Sequence, residues 1–298
     1  MLRIGTRGSK LALWQAHFTQ SELARIGVES ELVIIKTKGD QIQHLGFDKM
    51  EGKGFFTKEI EDALLAGQVD LAVHSMKDLP TAQPEGLVIT AVSYRDDPAD
   101  WLLIRPDAVE KGRIFQLRPG AVVGTSASRR KAQLLDFRPD VQVKDIRGNV
   151  PTRLEKLRTG DFDAIFLAAA GVSRLALNIA DLKLIALNPR EFVPAPAQGV
   201  LAWQTLRDDT ATRLILKNIH HSAVAAATNV ERRVLQLLNG GCQMPLGVHC
   251  QRDAAGHYHV FAACQLGNTL HRAHLSSSTH FGLAEGIVKS LINQPSDS

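Results

Sequence analysis

Cys242 lies in Asn239-Gly240-Gly241-Cys242-Gln243-Met244-Pro245, directly after a helical run. Two glycines and a following proline exclude helix or regular strand, so the thiol is expected on a tight turn. That placement suits a reactive sulfur; a small apolar residue tucked under the turn is the other reading. Elsewhere the chain repeatedly puts basic and small polar residues where a strand should end: Thr6-Arg7-Gly8-Ser9, His74-Ser75-Met76-Lys77-Asp78, Thr125-Ser126-Ala127-Ser128-Arg129-Arg130, and Arg147-Gly148-Asn149 with Arg153 a turn further on. In parallel sheets, ligands bind outside the carboxyl ends of strands, where helix N-termini offer free N–H groups. One such arginine would be a solvated charge. Four such strand ends describe a cleft for a ligand with many carboxylates or phosphates, which the planar arginine fork pairs bidentately. Asp78 stands against this positive field. Either it pairs with Lys77 or caps a helix, or it is a carboxylate kept for a cation that forms during reaction.

The elements that must position these residues alternate strand and helix through the first two-thirds of the chain. Strands are expected at Leu2–Thr6, Leu32–Lys36, Val69–Val73 and Leu87–Val92. One helix is expected after the cap Ser9, with Leu11, Trp14 and Phe18 on one face, and another from Thr57 to Ala66. After the polar break Arg95-Asp96-Asp97-Pro98 the rhythm restarts, with strands at Trp101–Ile104, Ala121–Gly124, Val141–Asp145 and Ala164–Ala168 and helices from near Ser128 and Pro151. This βαβ rhythm predicts mainly parallel, two-sided sheets, and the two halves as structural cousins. The stretch Val193-Pro194-Ala195-Pro196-Ala197-Gln198-Gly199 reads as a stiff crossing between domains. From about Leu216 the pattern becomes a small α+β unit: a helix from Ser222 to Leu238, strands at Leu246–Gln251, His257–Cys264 and Leu270–Leu275, and a helix over Phe281–Ile292.

Composition narrows the function. Lys and Arg number 35 against 31 Asp and Glu, a net charge of +4 that does not by itself point to nucleic acid, whose binding usually needs a clustered basic face. Cys242, Cys250 and Cys264 fit no zinc spacing, and their odd number argues against a disulfide framework. The start reads as a strand, not a signal peptide, and no apolar run approaches the roughly 18 residues of a membrane span. A soluble, cytoplasmic protein with reduced thiols is expected. Phosphate-loop and dinucleotide glycine motifs are absent, and His220-His221 lacks metal-spaced partners. Gly52-Lys53-Gly54-Phe55-Phe56 reads as a lid or as a loop whose aromatics pack.

Taken in order, Ile4-Gly5-Thr6-Arg7-Gly8-Ser9, Lys53-Gly54-Phe55-Phe56, Val73 to Pro80, Gly124-Thr125-Ser126 with Arg129-Arg130, Arg147-Gly148-Asn149 with Thr152-Arg153-Leu154, and Gly241-Cys242-Gln243 with Pro245 resemble the porphobilinogen deaminase (hydroxymethylbilane synthase) family over nearly the whole chain. The resemblance implies an α/β fold of two doubly wound domains, like periplasmic binding proteins, and a small α+β C-terminal domain. The divisions expected are 1–94 with 197–215, 98–193, and 216–298. It implies a transferase of haem and tetrapyrrole biosynthesis that joins four porphobilinogen molecules head to tail, each losing ammonia through an azafulvene-like cation. The implied cofactor is dipyrromethane, thioether-linked to Cys242. Cofactor contacts carried over by position are Ser75, Lys77, Asp78, Thr125, Ser126, Arg129, Arg130, Arg147 and Arg153. Substrate contacts are Arg7, Ser9, Arg147, Arg153, Arg174 and Gln198, with Asp78 catalytic and Lys53 and Phe56 in a lid. No metal, nucleic acid or membrane is implied, and a monomer is. The chain departs from the family pattern at Ala127 and Ser128, and at Pro196-Ala197, where Val-Gly is usual. A non-catalytic anion-binding protein of similar fold is the competing reading; it has no need of Cys242 or Asp78.

Overall fold

The computed structural model describes residues 1–36, 57–241 and 244–293. Lys53, Phe56 and Cys242 lie outside the described residues. The chain divides into two compact units, Met1–Asp96 with Gly199–Ala226, and Asp97–Gln198 with Ala227–Ser298.

The first unit contains β1 (Leu2–Thr6), α1 (Lys10–Arg25), β2 (Ser30–Ile34), α2 (Lys58–Leu65), β3 (Leu71–Ser75) and β4 (Leu87–Arg95). The second begins with β5 (Asp100–Ile104), β6 (Val122–Gly124), α3 (Ser128–Phe137), β7 (Gln142–Lys144), α4 (Val150–Arg158), β8 (Ala164–Ala168), α5 (Ala169–Arg174) and β9 (Lys183–Ala186). The chain then returns to the first unit as β10 (Val200–Leu206), α6 (Thr210–Lys217) and the start of α7 (Ser222–Leu237). It ends in the second unit with β11 (Leu246–Arg252), β12 (Tyr258–Leu266), β13 (Thr269–Ser277) and α8 (Leu283–Ile292).

The strand order is β2-β1-β3-β10-β4 in the first sheet and β7-β6-β8-β5-β9 in the second. The pairing sense matches position by position: two parallel pairs, then two antiparallel ones. The two halves therefore share one topology. What the rhythm did not predict is the antiparallel strand in each sheet, β10 and β5. Each is the first strand laid down after the chain crosses between units, so it enters the sheet from the end where the parallel strands finish. Asp100 lies opposite Ala168 at the end of β8, and Leu201 opposite Ser75 at the end of β3.

Both sheets are covered on both faces, which accounts for their nearly continuous apolar runs. In the first, Trp203, Leu23 and Leu71 fill the face under α1, and Ile60, Leu64 and Ala72 the face under α2. In the second, Leu102 and Ile104 of β5 point to one core with Phe166 and Phe192, and Leu103 to the other with Ile165. This is the period of two expected of a strand. The three-stranded sheet β11-β12-β13 is a simple antiparallel meander. Gly247 is obligatory there: a Cβ on it would collide with the Val193 carbonyl oxygen.

Two expectations shift. α1 buries Gln15, Ala16, Thr19 and Leu23, while Trp14 and Phe18 stack on one another half-exposed at 5.6 Å. The polar residues belong inside because Thr19 receives the Trp203 Nε1 proton and Gln15 reaches Ser75. β3 lies two residues later than expected, so His74 and Ser75 are strand residues and a 3-10 turn over Met76–Asp78 follows.

Candidate active site

In the first unit, Ser9 caps α1 by accepting from the Ala12 N–H, which holds Arg7 and Ser9 at the end of β1. β1 pairs directly with β3, bringing this corner to Ser75 and Asp78. Arg7, Ser9, Gln15, His74, Ser75 and Asp78 line one open pocket of about 550 Å³ with Thr57 and Ile60. Its polar groups are largely neutral. Ser75 Oγ accepts from Gln15 Nε2 at 2.8 Å. His74 is buried and bonded to Gln204 Oε1 at 3.1 Å; burial lowers its pKa to about 4, so it is neutral at neutral pH. Asp78 is exposed and has no hydrogen bond or ion pair among the described residues. Neither a pair with Lys77 nor a helix cap occupies it. Gln15 and His74 were not singled out in the sequence; apolar periodicity hides polar residues that face inward.

In the second unit, Thr125 and Ser126 close the end of β6. Thr125 Oγ1 accepts from Ala127 N at 3.2 Å, and Ser126 Oγ donates to Ile146 O at 2.8 Å while accepting from Ile146 N. α3 starts at Ser128 with no side-chain cap from Ala127. Arg129 and Arg130, in its first turn, are not free cations. Both are buried on Asp100, which is fully enclosed: Arg129 Nη1 donates at 2.6 Å, and Arg130 Nη2 and Nε at 2.7 and 3.2 Å. Gln198 Nε2 donates to the same carboxylate at 3.0 Å. Burial alone would raise the Asp100 pKa, but the charges and hydrogen bonds of the two arginines outweigh it and hold the carboxyl below the usual range. Asn149 caps α4 through Thr152 N, and Arg153 Nε donates to the Gly148 carbonyl at 2.8 Å. Burial, then the charges of Arg130 and Arg147, lower the Arg153 pKa to about 10. Arg147 is half-buried, 3.8 Å from Asp145, and Arg174 is buried at the end of α5.

Sequence reasoning missed Asp100. The charged stretch before Trp101 looked like a polar break, whereas β5 begins one residue earlier and carries its acid into the sheet. The available signal was the charge balance: two adjacent arginines at a buried strand end require a counter-ion.

Among the described residues no group of three or more His, Cys, Asp and Glu is arranged to hold a metal, and no helix is long and apolar enough to cross a membrane. The arrangement is an α/β protein with a cluster of arginines around a buried acid at one set of strand ends and an exposed acid at another. A family model for "Porphobilinogen deaminase, dipyromethane cofactor binding domain" matches residues 2–214. The porphobilinogen deaminase of Trichlorobacter lovleyi is 48% identical over 250 residues, 83% of this chain and 78% of that one. That of Syntrophotalea carbinolica is 47% identical over 253 residues, with the same coverage of 83% and 78%. The chain belongs to the porphobilinogen deaminase family. Solved structures similar to it include a periplasmic substrate-binding protein of a Coxiella burnetii ABC transporter, at 14% identity and a TM-score of 0.44 over 76% of this chain and 94% of that one. Another is an arginine-specific periplasmic binding protein of Salmonella typhimurium, at 11% identity and a TM-score of 0.41, over 75% and 93%.

Proposed function

We propose that this chain is a hydroxymethylbilane synthase that condenses four porphobilinogen molecules head to tail, with Asp78 as the acid-base and electrostatic centre. The observation that carries the assignment of Asp78 is its position: an exposed carboxylate without a protein partner among the described residues, lining a pocket with Arg7 and the hydrogen-bonding groups of Ser9, Gln15, His74 and Ser75. Family membership favours this transferase over the non-catalytic anion-binding reading.

A dipyrromethane cofactor fits the second unit. Four arginines, Arg129, Arg130, Arg147 and Arg153, lie there, and burial first, then the charges of Arg130 and Arg147, lower the Arg153 pKa to about 10. A polycarboxylate is the kind of ligand that such a cluster suits. In this reading Ser75, Lys77, Asp78, Thr125, Ser126, Arg129, Arg130, Arg147 and Arg153 hold the group, and Cys242 carries it as a thioether. When bound, the dipyrromethane supplies the pyrrole carbon to which new rings are joined. Arg7, Ser9, Arg174 and Gln198 receive porphobilinogen, with Arg147 and Arg153 serving both as the product lengthens. The Asp78 carboxylate stabilises the cation left when ammonia departs, and it takes up the proton released as the carbon–carbon bond forms. Neutral His74 adds no competing positive charge beside it. Lys53 and Phe56 belong to a lid. The protein works as a cytoplasmic monomer without nucleic acid or membrane, in three domains, the third carrying the thioether.

Intact mass tests the assignment most directly. The purified chain should exceed its sequence mass by a dipyrromethane, Cys242→Ser should lose the adduct, and Cys250→Ser should keep it. An unmodified chain that still turns over porphobilinogen would remove the cofactor from this reading.

A further inference from the structure

Asp100 has no place in the function described so far, yet three residues assigned to ligand binding converge on it. Arg129 and Arg130 come from the start of α3, Gln198 from the crossing segment, and Asp100 from the first residue of β5. The donors divide unequally. Arg130 is engaged at all three nitrogens, Nε and Nη2 on Asp100 and Nη1 on the Phe166 carbonyl at 3.1 Å. Arg129 is engaged only through Nη1, which serves Asp100 and the Val193 carbonyl at 2.9 Å. Its Nε and Nη2 have no acceptor among the described residues. Gln198 is held at its amide nitrogen by Asp100 and by the Pro98 carbonyl at 2.8 Å. An enclosed carboxylate thus fixes one edge of each group.

We propose that Asp100 is a positioning residue for the ligand: it never touches the ligand, but sets the orientation in which Arg129, Arg130 and Gln198 meet its carboxylates. This rests on the reading above, that the ligand is a polycarboxylate pyrrole. It makes a prediction opposite to that of charge alone. Asp100→Asn removes a negative charge from an anion-binding cluster, so simple attraction requires anionic ligands to bind more tightly. Positioning requires the reverse, because the Asn NH2 faces guanidinium donors and releases their geometry.

The test measures KM and kcat for porphobilinogen, per active site, together with the fraction of chain carrying the adduct. For Asp100→Asn, KM should rise roughly tenfold, the scale of one lost charge-assisted hydrogen bond, and the adduct fraction should fall. A KM equal to or below that of the wild type, with the adduct fraction retained, overturns the inference. Asp100→Asn combined with Arg130→Gln restores the net charge of the trio and serves if the single variant does not fold. It should raise KM beyond Arg130→Gln alone; equality overturns the inference. In the wild-type protein, the side-chain 15N signals of Arg129 and Arg130 should be those of locked guanidiniums, and freely averaged signals overturn it without any variant. A wild-type chain inactive toward porphobilinogen sinks the functional reading instead, so the two failures are distinguishable.

Discussion

At the end of β3, Asp78 is exposed, has no partner among the described residues, and is surrounded by Ser75, Gln15 and a neutral His74. Beside the end of β8, at the same place in a sheet of the same topology, Asp100 is fully enclosed and bound by two arginines and Gln198. One acid is left to act on something that arrives; the other is consumed in holding its neighbours. The difference follows from which strand delivers the acid. Asp78 sits on a turn that leaves the sheet. Asp100 opens an antiparallel strand that runs into it, so its side chain is desolvated and must be paired. In the function proposed above, this duplicated strand order divides the labour, with reaction at one set of strand ends and grip at the other.

The comparison can be broken most forcefully at Asp100. Asp100→Ala should lower stability by about 3–5 kcal/mol in urea unfolding, because two buried guanidiniums lose their counter-charge. A loss below about 1 kcal/mol would mean that the arginines are not locked as described. Asp78→Asn should leave stability within about 0.5 kcal/mol, since the side chain has no partner to lose among the described residues. Its turnover should fall at least about 100-fold, the scale of a removed acid-base group. Near-normal turnover would erase the contrast between the two acids.

The neutrality of His74 is testable by pH. His74 takes up a proton near 6.5 when unfolded but only near 4 when folded. Between those values the unfolded state binds more protons, so stability is fully present above the window and falls as pH falls through it. The slope from this one group reaches about 1.4 kcal/mol per pH unit. His74→Gln should remove that part of the slope; an unchanged pH profile would mean that His74 is not held neutral. The smallest effect concerns Ala197, which adopts φ 61° where the family usually has glycine. Ala197→Gly should stabilise by about 1 kcal/mol, read as an upward shift of the urea midpoint.

Much of this arrangement was legible in the sequence. Strands at Leu2–Thr6 and Ala164–Ala168 announced themselves by apolar runs ending in polar turns, and Pro151 marked a helix start. Ser9, Ser75, Thr125 and the arginines stood out because small polar and basic residues cluster where such runs end. The antiparallel strands were not legible as such. Val200–Leu206 is an apolar run like any other, and its pairing sense is fixed by where the chain comes from, a tertiary fact. Asp100 was hidden for a related reason. A charge beside a strand reads as its boundary unless partners distant in sequence, here 29 and 30 residues on, are known to enclose it.

The position of β10 also orders events during synthesis. β3 and β4 do not pair with each other; β10 lies between them. The first sheet cannot close until residues near Leu206 have left the ribosome, long after β1 has done so. All strands of the second sheet fall between Asp100 and Ala186, so that sheet is complete in the nascent chain earlier. The amino-terminal half of the first unit must wait, with two unpaired strand edges, while a later-made sheet folds ahead of it. Residues 1–95 are thus the stretch most dependent on protection from aggregation before the chain is finished.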